Sequence, residues 1–461
     1  MKDKITMPLS LFRSILNKGH DRSVKAKKNI VASVVIKGLS IAVSLLIVPL
    51  TINYVNVSQY GIWLTLSSIV GWFSFFDIGF TKGLRNKFAE AKASGNDELA
   101  QIYVSTTYAV LIIIFGILWL IFLVCNQFLN WSQILKVEGS LQKEISLLAI
   151  IVFTYFCLQF VLKIITTIMT ADQQPAKASL IDVLGQVFSL LIVFILVKTT
   201  AGSLIYLGLA LCLAPIIVLV GANFFFFNGI YKKYKPVLSK VKFPYAKGLF
   251  NLGIIFFIIQ VAGIVQYQSA NIIITQNFAD GPAEVTSFNI VYKYFGLLNM
   301  AFTMFLAPFW SASTEAYMKN EIGWIKNVIK RYIQLNILLF CISVIMLVFS
   351  HQIYDLWLGK NKVNIGFALS LWGFIFFNMQ MYEGKYVYFL NGIGALRIQF
   401  WACIISPFLF IAASLILIKY YHMGVQAVFV ASVIANINGI VLAPIQYYMI
   451  IYKNKKGIWL K

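Results

Sequence analysis

The sequence predicts an all-α integral membrane protein of twelve transmembrane helices in two six-helix lobes related by pseudo-two-fold symmetry, with both termini cytoplasmic. Three observations predict it. Of the 461 residues 60% are hydrophobic and only 12% charged, and the mean hydropathy is +0.82, far from the balance of a water-soluble domain. Twelve apolar stretches are each long enough, at roughly 20 residues, to cross a hydrocarbon core of about 30 Å, where only helices and closed barrels satisfy their own backbone. Their connecting gaps alternate in charge.

In order, the spans are Ile30 to Tyr54, Gly61 to Phe80, Gln101 to Val124, Ile145 to Thr170, Ala176 to Val197, Ser203 to Phe227, Leu249 to Thr275, Val285 to Trp310, Ile329 to Ser350, Ile365 to Leu390, Ile398 to Ile418 and Met423 to Ile451. The tails and even-numbered gaps hold 28 of the Lys and Arg residues and the odd-numbered gaps only 6. The positive-inside bias therefore puts both tails in the cytoplasm. The net charge of +22 follows from cytoplasmic loops facing anionic membrane lipids, and no nucleic-acid partner is needed to explain it.

Residues 1–29 form a basic cytoplasmic segment in which Pro8 to Leu16 reads as an interfacial helix. Residues 30–228 form the first lobe and 249–452 the second. Between them lies a basic linker, 229–248, with six lysines, and 453–461 is a basic tail. Both lobes open alike, with two spans, a short outer turn, a mixed-charge cytoplasmic segment and a third span. Six spans per copy gives parallel repeats about an axis normal to the membrane, with a path between them. Accidental symmetry in a twelve-helix bundle is the alternative.

No phosphate loop of the G-x-x-x-x-G-K-[ST] type occurs, so transport would run on an ion gradient, a lipid gradient or a partner. Gly392 to Arg397 begins like a dinucleotide fingerprint but follows a spanning helix and lacks the third glycine. The three histidines, His20, His351 and His422, lie in a tail or near membrane edges, the five cysteines show no metal spacing, and carboxylates are scattered through the short outer gaps. No cofactor, metal site or catalytic centre is expected, and an enzyme is the less favoured reading.

Charges inside spans default to function. Seven qualify: Lys37, Lys163, Lys293, Lys385, Asp77, Asp182 and Glu383. Six lie within one or two turns of a cytoplasmic boundary, where snorkelling or pairing can hold them. Lys293 lies eight residues into the eighth span, about 12 Å deep at 1.5 Å per residue, and is expected to line a hydrated cavity. At 100° per residue Asn289, Tyr292, Lys293 and Gly296 share one face of that helix, while Gln260, Tyr267 and Asn271, with Gln268 at the edge, share one face of the seventh. A lone ammonium among amides and hydroxyls suits a polyhydroxylated anion. On the tenth span Asn378, Tyr382 and Lys385 fall together and Glu383 points away. Interhelical hydrogen bonding is the alternative role for these amides. Asp77, Asp182 and Glu383 are the ion-coupling candidates, with Asp77 able instead to cap the next helix and pair with Arg85.

The run from Asp77 to Ala91 (Asp-Ile-Gly-Phe-Thr-Lys-Gly-Leu-Arg-Asn-Lys-Phe-Ala-Glu-Ala), followed by Tyr103 to Tyr108 and preceded by the Gln59 to Trp63 turn, resembles bacterial polysaccharide-biosynthesis membrane proteins of the O-antigen (Wzx-type) flippase family. Thr81-Lys82 departs from the Gly-Asn of that family. The resemblance implies membership of the multidrug/oligosaccharidyl-lipid/polysaccharide exporter superfamily and a flippase of undecaprenyl-diphosphate-linked oligosaccharide in the bacterial inner membrane, working by alternating access beside a polysaccharide polymerase complex. Lys293 would hold the pyrophosphate, and Lys37, Lys163 or Lys385 would receive it at the cytoplasmic mouth. An ion-coupled exporter of small molecules in the same superfamily, and a membrane glycosyltransferase or ligase, are the alternatives.

Overall fold

The computed structural model describes residues 21–73, 80–172, 174–246 and 254–460. The helix expected at Pro8 to Leu16, and Asp77, lie outside the described residues, as does the side chain of Gln260. The described chain is helical throughout. Its first half contains α1 (Asp21–Tyr54), α2 (Val57–Gly71), α3 (Phe80–Ala93), α4 (Asp97–Asn126), the short α5 (Trp131–Leu135), α6 (Gln142–Leu162), α7 (Ile164–Ala171), α8 (Pro175–Thr199) and α9 (Leu204–Asn228). The second contains α10 (Ile254–Asn277), α11 (Gly281–Met318), α12 (Ile322–Val348), the short α13 (Ser350–Leu358), α14 (Phe367–Gly392), α15 (Arg397–Lys419), α16 (Ala427–Ala435) and α17 (Ala443–Ile451).

Local chemistry sets the helix starts. Asn56, Asn96, Asn130 and Ser203 each accept a hydrogen bond from the backbone N–H three residues on, satisfying a donor the first turn leaves free. Two expected spans carry breaks. The fourth is divided at Lys163 into α6 and α7. The last is split into α16 and α17 by a π-helical stretch, Asn438–Leu442, with Pro444 at the start of α17 and a bend of 43°.

Among the described residues seven helices are long and apolar enough to cross a membrane, and the bent pair α16 and α17 makes an eighth. The helices α11 and α14, which carry Lys293, Glu383 and Lys385 within apolar runs, are not among them. They pack on one another, and α10 and α11 also pack on α2. Their polar groups thus meet helix and not lipid, which is where a spanning segment tolerates such groups. Outward faces carry the opposite character: Ile112, Ile117, Leu120, Ile121 and Val124 of α4, and Ile337, Leu338, Ile345 and Val348 of α12, are all exposed.

Packing follows the two halves. One core lies wholly within the first, around Phe115, Phe122, Phe153 and Phe156, where Phe122 and Phe153 stack with centroids 4.0 Å apart. A second lies within residues 302–451, around Phe302, Leu306 and Phe389. A third bridges them, joining Val48, Ile52 and Tyr60 to Ile274, Phe288 and Val291. The linker is fastened to the first half: Tyr231 donates to Asp172 and Tyr234 to Asp97, while Lys233 pairs with Asp97 and Lys240 with Glu98.

Candidate functional site

Between the halves α2 meets α10 and α11 along one face. Thr286 donates to the Val57 carbonyl (2.7 Å), and the Thr65 and Thr275 hydroxyls lie 2.9 Å apart. Asn271 donates to Ser68 (2.7 Å), and Asn289 donates in turn to Asn271 (2.8 Å). Gly61 and Gly71 allow this approach: a methyl at Gly61 would overlap the Pro282 backbone, and one at Gly71 would crowd the Gln268 amide. Residues 61, 65, 68 and 71 recur at helical spacing, so the small and hydroxyl-bearing side chains form one stripe. The ladder runs from the 55–56 and 278–280 turns to the level of Gly71 and Gln268.

At the 57–61 end of this ladder stands Lys293. Its ammonium donates to the Tyr60 hydroxyl at 3.3 Å, from α11 of the second half to α2 of the first. No carboxylate pairs with it among the described residues. Its neighbours on the sequence face separate: Gly296 packs against Phe377, and Tyr292 stands over the Phe377 edge (4.9 Å).

Tyr267, Gln268, Asn271, Asn289 and Tyr292 do share one cavity, of about 150 Å³, walled by Phe288, Phe376, Phe410 and Phe429 and reached by Ser68. That holds about five waters at roughly 30 Å³ each, and is smaller than the roughly 300 Å³ of an ordinary ligand pocket. Tyr267 is 44% exposed and accepts from Gln380 (2.9 Å), which accepts from Asn299 (3.1 Å). Gln380 and Asn299 were not singled out by the sequence reading. Neither was Tyr60.

In the first half Lys37, Lys163 and Asp182 come together from α1, the α6–α7 break and α8 around a polar cavity of about 300 Å³. Lys163 pairs with Asp182 at 3.3 Å, both about two-fifths exposed. Ser40 donates to Gln186 (2.8 Å) and Gln159 to Tyr155 (2.6 Å) in the same walls. These partners could have been found from spacing: Ser40 is three residues from Lys37, Gln186 four from Asp182, and Gln159 four from Lys163.

Lys385 and Asn378 face α12 instead. The Lys385 ammonium donates to Asn336 (2.8 Å) and the Tyr382 carbonyl (2.6 Å) and lies over the Tyr382 and Tyr386 rings, while Asn378 and Ser343 exchange hydrogen bonds. Lys385 is 1% exposed. Glu383 points to the far side of α14, toward Asn436, Asn438 and Gly439, so it and Lys385 are not an ion pair.

No family model matches the chain. It is 23% identical over 77% of its length to a Salmonella typhi protein named as an O-antigen transporter, covering 81% of that protein. A Yersinia pseudotuberculosis O-antigen export protein is 22% identical over 78% of the chain and 81% of its own length. Among solved structures, an inward-facing multidrug resistance MATE family transporter of the MOP superfamily superposes with a TM-score of 0.71 over 88% of this chain and 96% of that one, at 15% identity. An outward-facing structure of a MATE family transporter of that superfamily gives 0.67 over 94% and 97%, at 14% identity. The fold is shared with these two transporters, and the similarity to the O-antigen proteins extends across most of the chain.

Proposed function

We propose that this chain is a flippase, a transporter and not an enzyme, that carries a lipid-linked oligosaccharide of a surface polysaccharide across the bacterial inner membrane. The named relatives support the substrate class, and the fold supports alternating access. The finer reading has twelve spans in two six-helix lobes, both termini cytoplasmic, undecaprenyl diphosphate as the carrier, and a polysaccharide polymerase complex as the neighbour that uses the delivered repeat. With that orientation the ladder between α2 and α10–α11 closes the periplasmic side.

One observation carries the reading: the Lys293 ammonium lies at the seam between the halves, bonded to Tyr60 and to no carboxylate among the described residues. An anion entering from the cytoplasm would meet Lys37 and Lys163 and then Lys293. A phosphate at Lys163 would take the place of Asp182, the ion-coupling candidate of this cavity. Tyr267, Gln268, Asn271, Asn289, Tyr292 and Gln260 would present hydroxyl and amide groups to sugar. Lys385 and Asn378 stand on the α12 side, where they bind α12 to α14. A cation exporter of the same superfamily would have to bring positive cargo past Lys37, Lys163 and Lys293, which the charge disfavours.

The test is surface polysaccharide made by cells whose own flippase is replaced by this chain. Lys293→Ala should abolish it and Lys293→Arg restore it. Wild-type amounts with Lys293→Ala would overturn the anion site.

A further inference from the structure

One outward stripe of α12 changes character along its length. Lys326, Lys330, Ile333, Ile337 and Phe340 recur every three or four residues, so they share one face of the helix. The last three are exposed and form one wall of a groove of about 350 Å³ between α12 and α14, whose other wall is Met381, Tyr382 and Tyr386. Because α12 packs on α11, α13 and α14 of its own half, the groove opens on the outside of that half and not on the seam.

The polar groups in the floor of the groove are bonded to the protein itself. Lys385 donates to Asn336 and to the Tyr382 carbonyl, Asn336 donates to the Met381 carbonyl (3.2 Å), and Asn378 exchanges bonds with Ser343. What the exposed walls present is the hydrocarbon of Ile333, Ile337 and Phe340 and the ring of Tyr382, a surface suited to an apolar chain. From Lys330 to Phe340 the stripe rises about 15 Å at 1.5 Å per residue, roughly half the thickness of a 30 Å hydrocarbon core.

Toward the start of α12 the same stripe turns basic. Lys330 is exposed one turn before Ile333, and one turn further on the Lys326 ammonium lies over the Tyr452 ring at 4.2 Å. Tyr452 stacks on Tyr448 (5.3 Å), with Lys453 over the Tyr448 ring, at the end of α17. Tyr447 beside them meets Tyr386 of the groove at 5.3 Å, which joins the basic cluster to the apolar wall. None of the three lysines has a carboxylate within ion-pair reach among the described residues. Tyr448 and Tyr452 are about half exposed, as tyrosines are at a membrane–water interface, where ammonium groups meet lipid phosphate.

We propose that the outer face of the second half binds an anionic phospholipid of the bilayer, its phosphate held by Lys326, Lys330 and Lys453 and one acyl chain lying in the groove between α12 and α14. The charge fits the headgroup and the walls fit the chain, in the order a phospholipid carries them. Such a lipid stays in place and is not the cargo, so the inference rests on the chain lying in a membrane and not on what it transports. Bound there, it would join α12, α14 and α17 at one end of the half.

The thermal midpoint of the purified full-length chain in neutral detergent is followed as phosphatidylglycerol, phosphatidylcholine with the same acyl chains, or glycerol 3-phosphate is added. It should rise with phosphatidylglycerol and with neither of the others. The double variant Lys326→Gln/Lys330→Gln, altered on the helix surface and expected to fold, should need roughly thirtyfold more phosphatidylglycerol for the same rise, since two charges near the headgroup are lost. Lys232→Gln/Lys242→Gln, which removes two exposed lysines of the linker, should respond as wild type does. No rise with phosphatidylglycerol, or an equal rise with phosphatidylcholine, overturns the headgroup site, and a rise with glycerol 3-phosphate alone overturns the groove. An equal loss of response in the two double variants would mean diffuse attraction to a basic protein and would overturn the site as well.

Discussion

The Lys293 ammonium donates to the Tyr60 hydroxyl at 3.3 Å, joining α11 of one half to α2 of the other. A residue that would hold the substrate's anion is therefore also part of the contact that closes the seam. An anion that draws the ammonium away removes that contact, so loading and unlatching are linked. Tyr60→Phe keeps the lysine and deletes the bond, worth about 0.5–1.5 kcal/mol. The open form should gain roughly two- to tenfold. Disulfide yield between cysteines placed at Thr65 and Thr275 reads this, and an unchanged yield would show that Tyr60 does not latch the seam.

A wedge at the same seam should act more strongly. Gly61 has no room for a methyl, because the Pro282 backbone occupies that space. Gly61→Ala must separate α2 from α11 or distort one of them, breaking the Thr286 and Thr65 contacts nearby. Interhelical bonds of this kind contribute about 0.6–1.7 kcal/mol each. The cysteines already replace the Thr65–Thr275 contact, so the separation of the helices with the loss of the Thr286 bond predicts a marked fall in the same disulfide while the chain still inserts and folds, since the core around Phe115 and Phe153 lies elsewhere.

The Lys163–Asp182 pair separates a functional role from a structural one. Both side chains are about two-fifths exposed, so the pair contributes on the order of 0–1 kcal/mol to stability. Lys163→Ala should leave the thermal midpoint within a few degrees of wild type by that estimate, and should reduce surface polysaccharide sharply. Loss of stability without loss of export would reverse the assignment.

These relationships were legible in the sequence to different depths. Asn271 and Asn289 were placed on facing stripes by helical spacing alone, and their side chains bond. Lys37, Lys163 and Asp182 were found as charges in apolar runs, but their shared cavity needs three separate elements to be positioned. Tyr60 was read only as part of the Gln59 to Trp63 turn and Ser68 is one of several hydroxyls in its span, and their partners lie more than 200 residues away in sequence. The same-face rule grouped Lys293 with Tyr292, yet the two diverge, because a long lysine reaches across the seam while the phenol packs on Phe377. The break in the last span had a signal, Gly439 and Pro444 inside an apolar run, that composition alone did not separate from a continuous helix.

The linker makes its own prediction. Asp172 accepts from Tyr231 (3.1 Å), pairs with Lys92 and accepts from Gln174, so it ties the linker to α3 and the start of α8. Burial, with the Asp97 bond, pushes the Tyr234 hydroxyl up to about 12, which keeps it a donor to Asp97 at neutral pH. That contribution is whole below the ordinary tyrosine value and is lost as pH rises through about 12. Asp172→Ala removes a charged acceptor worth about 1.5–3 kcal/mol, and trypsin should cut among Lys232 to Lys242 at least about tenfold faster where cleavage follows the open population. Unchanged cutting would mean that the linker is held by α4 contacts alone.

Lys385 differs from Lys293 in having its needs met inside the protein. Its ammonium has Asn336, the Tyr382 carbonyl and two rings around it, and its side chain is almost wholly enclosed. Met fills a similar volume and keeps the α12–α14 packing, although Asn336 loses its donor, so Lys385→Met should cost about 1–3 kcal/mol. Lys385→Ala should cost about 2–5 kcal/mol, because it also opens a void. If the residue only joins α12 to α14, export by the Met variant should follow the amount of folded protein, whereas Lys293→Ala should lose export at full abundance. Measuring polysaccharide per folded transporter for both variants separates the roles, and a Lys385→Met protein that is abundant yet inactive would return Lys385 to the substrate path.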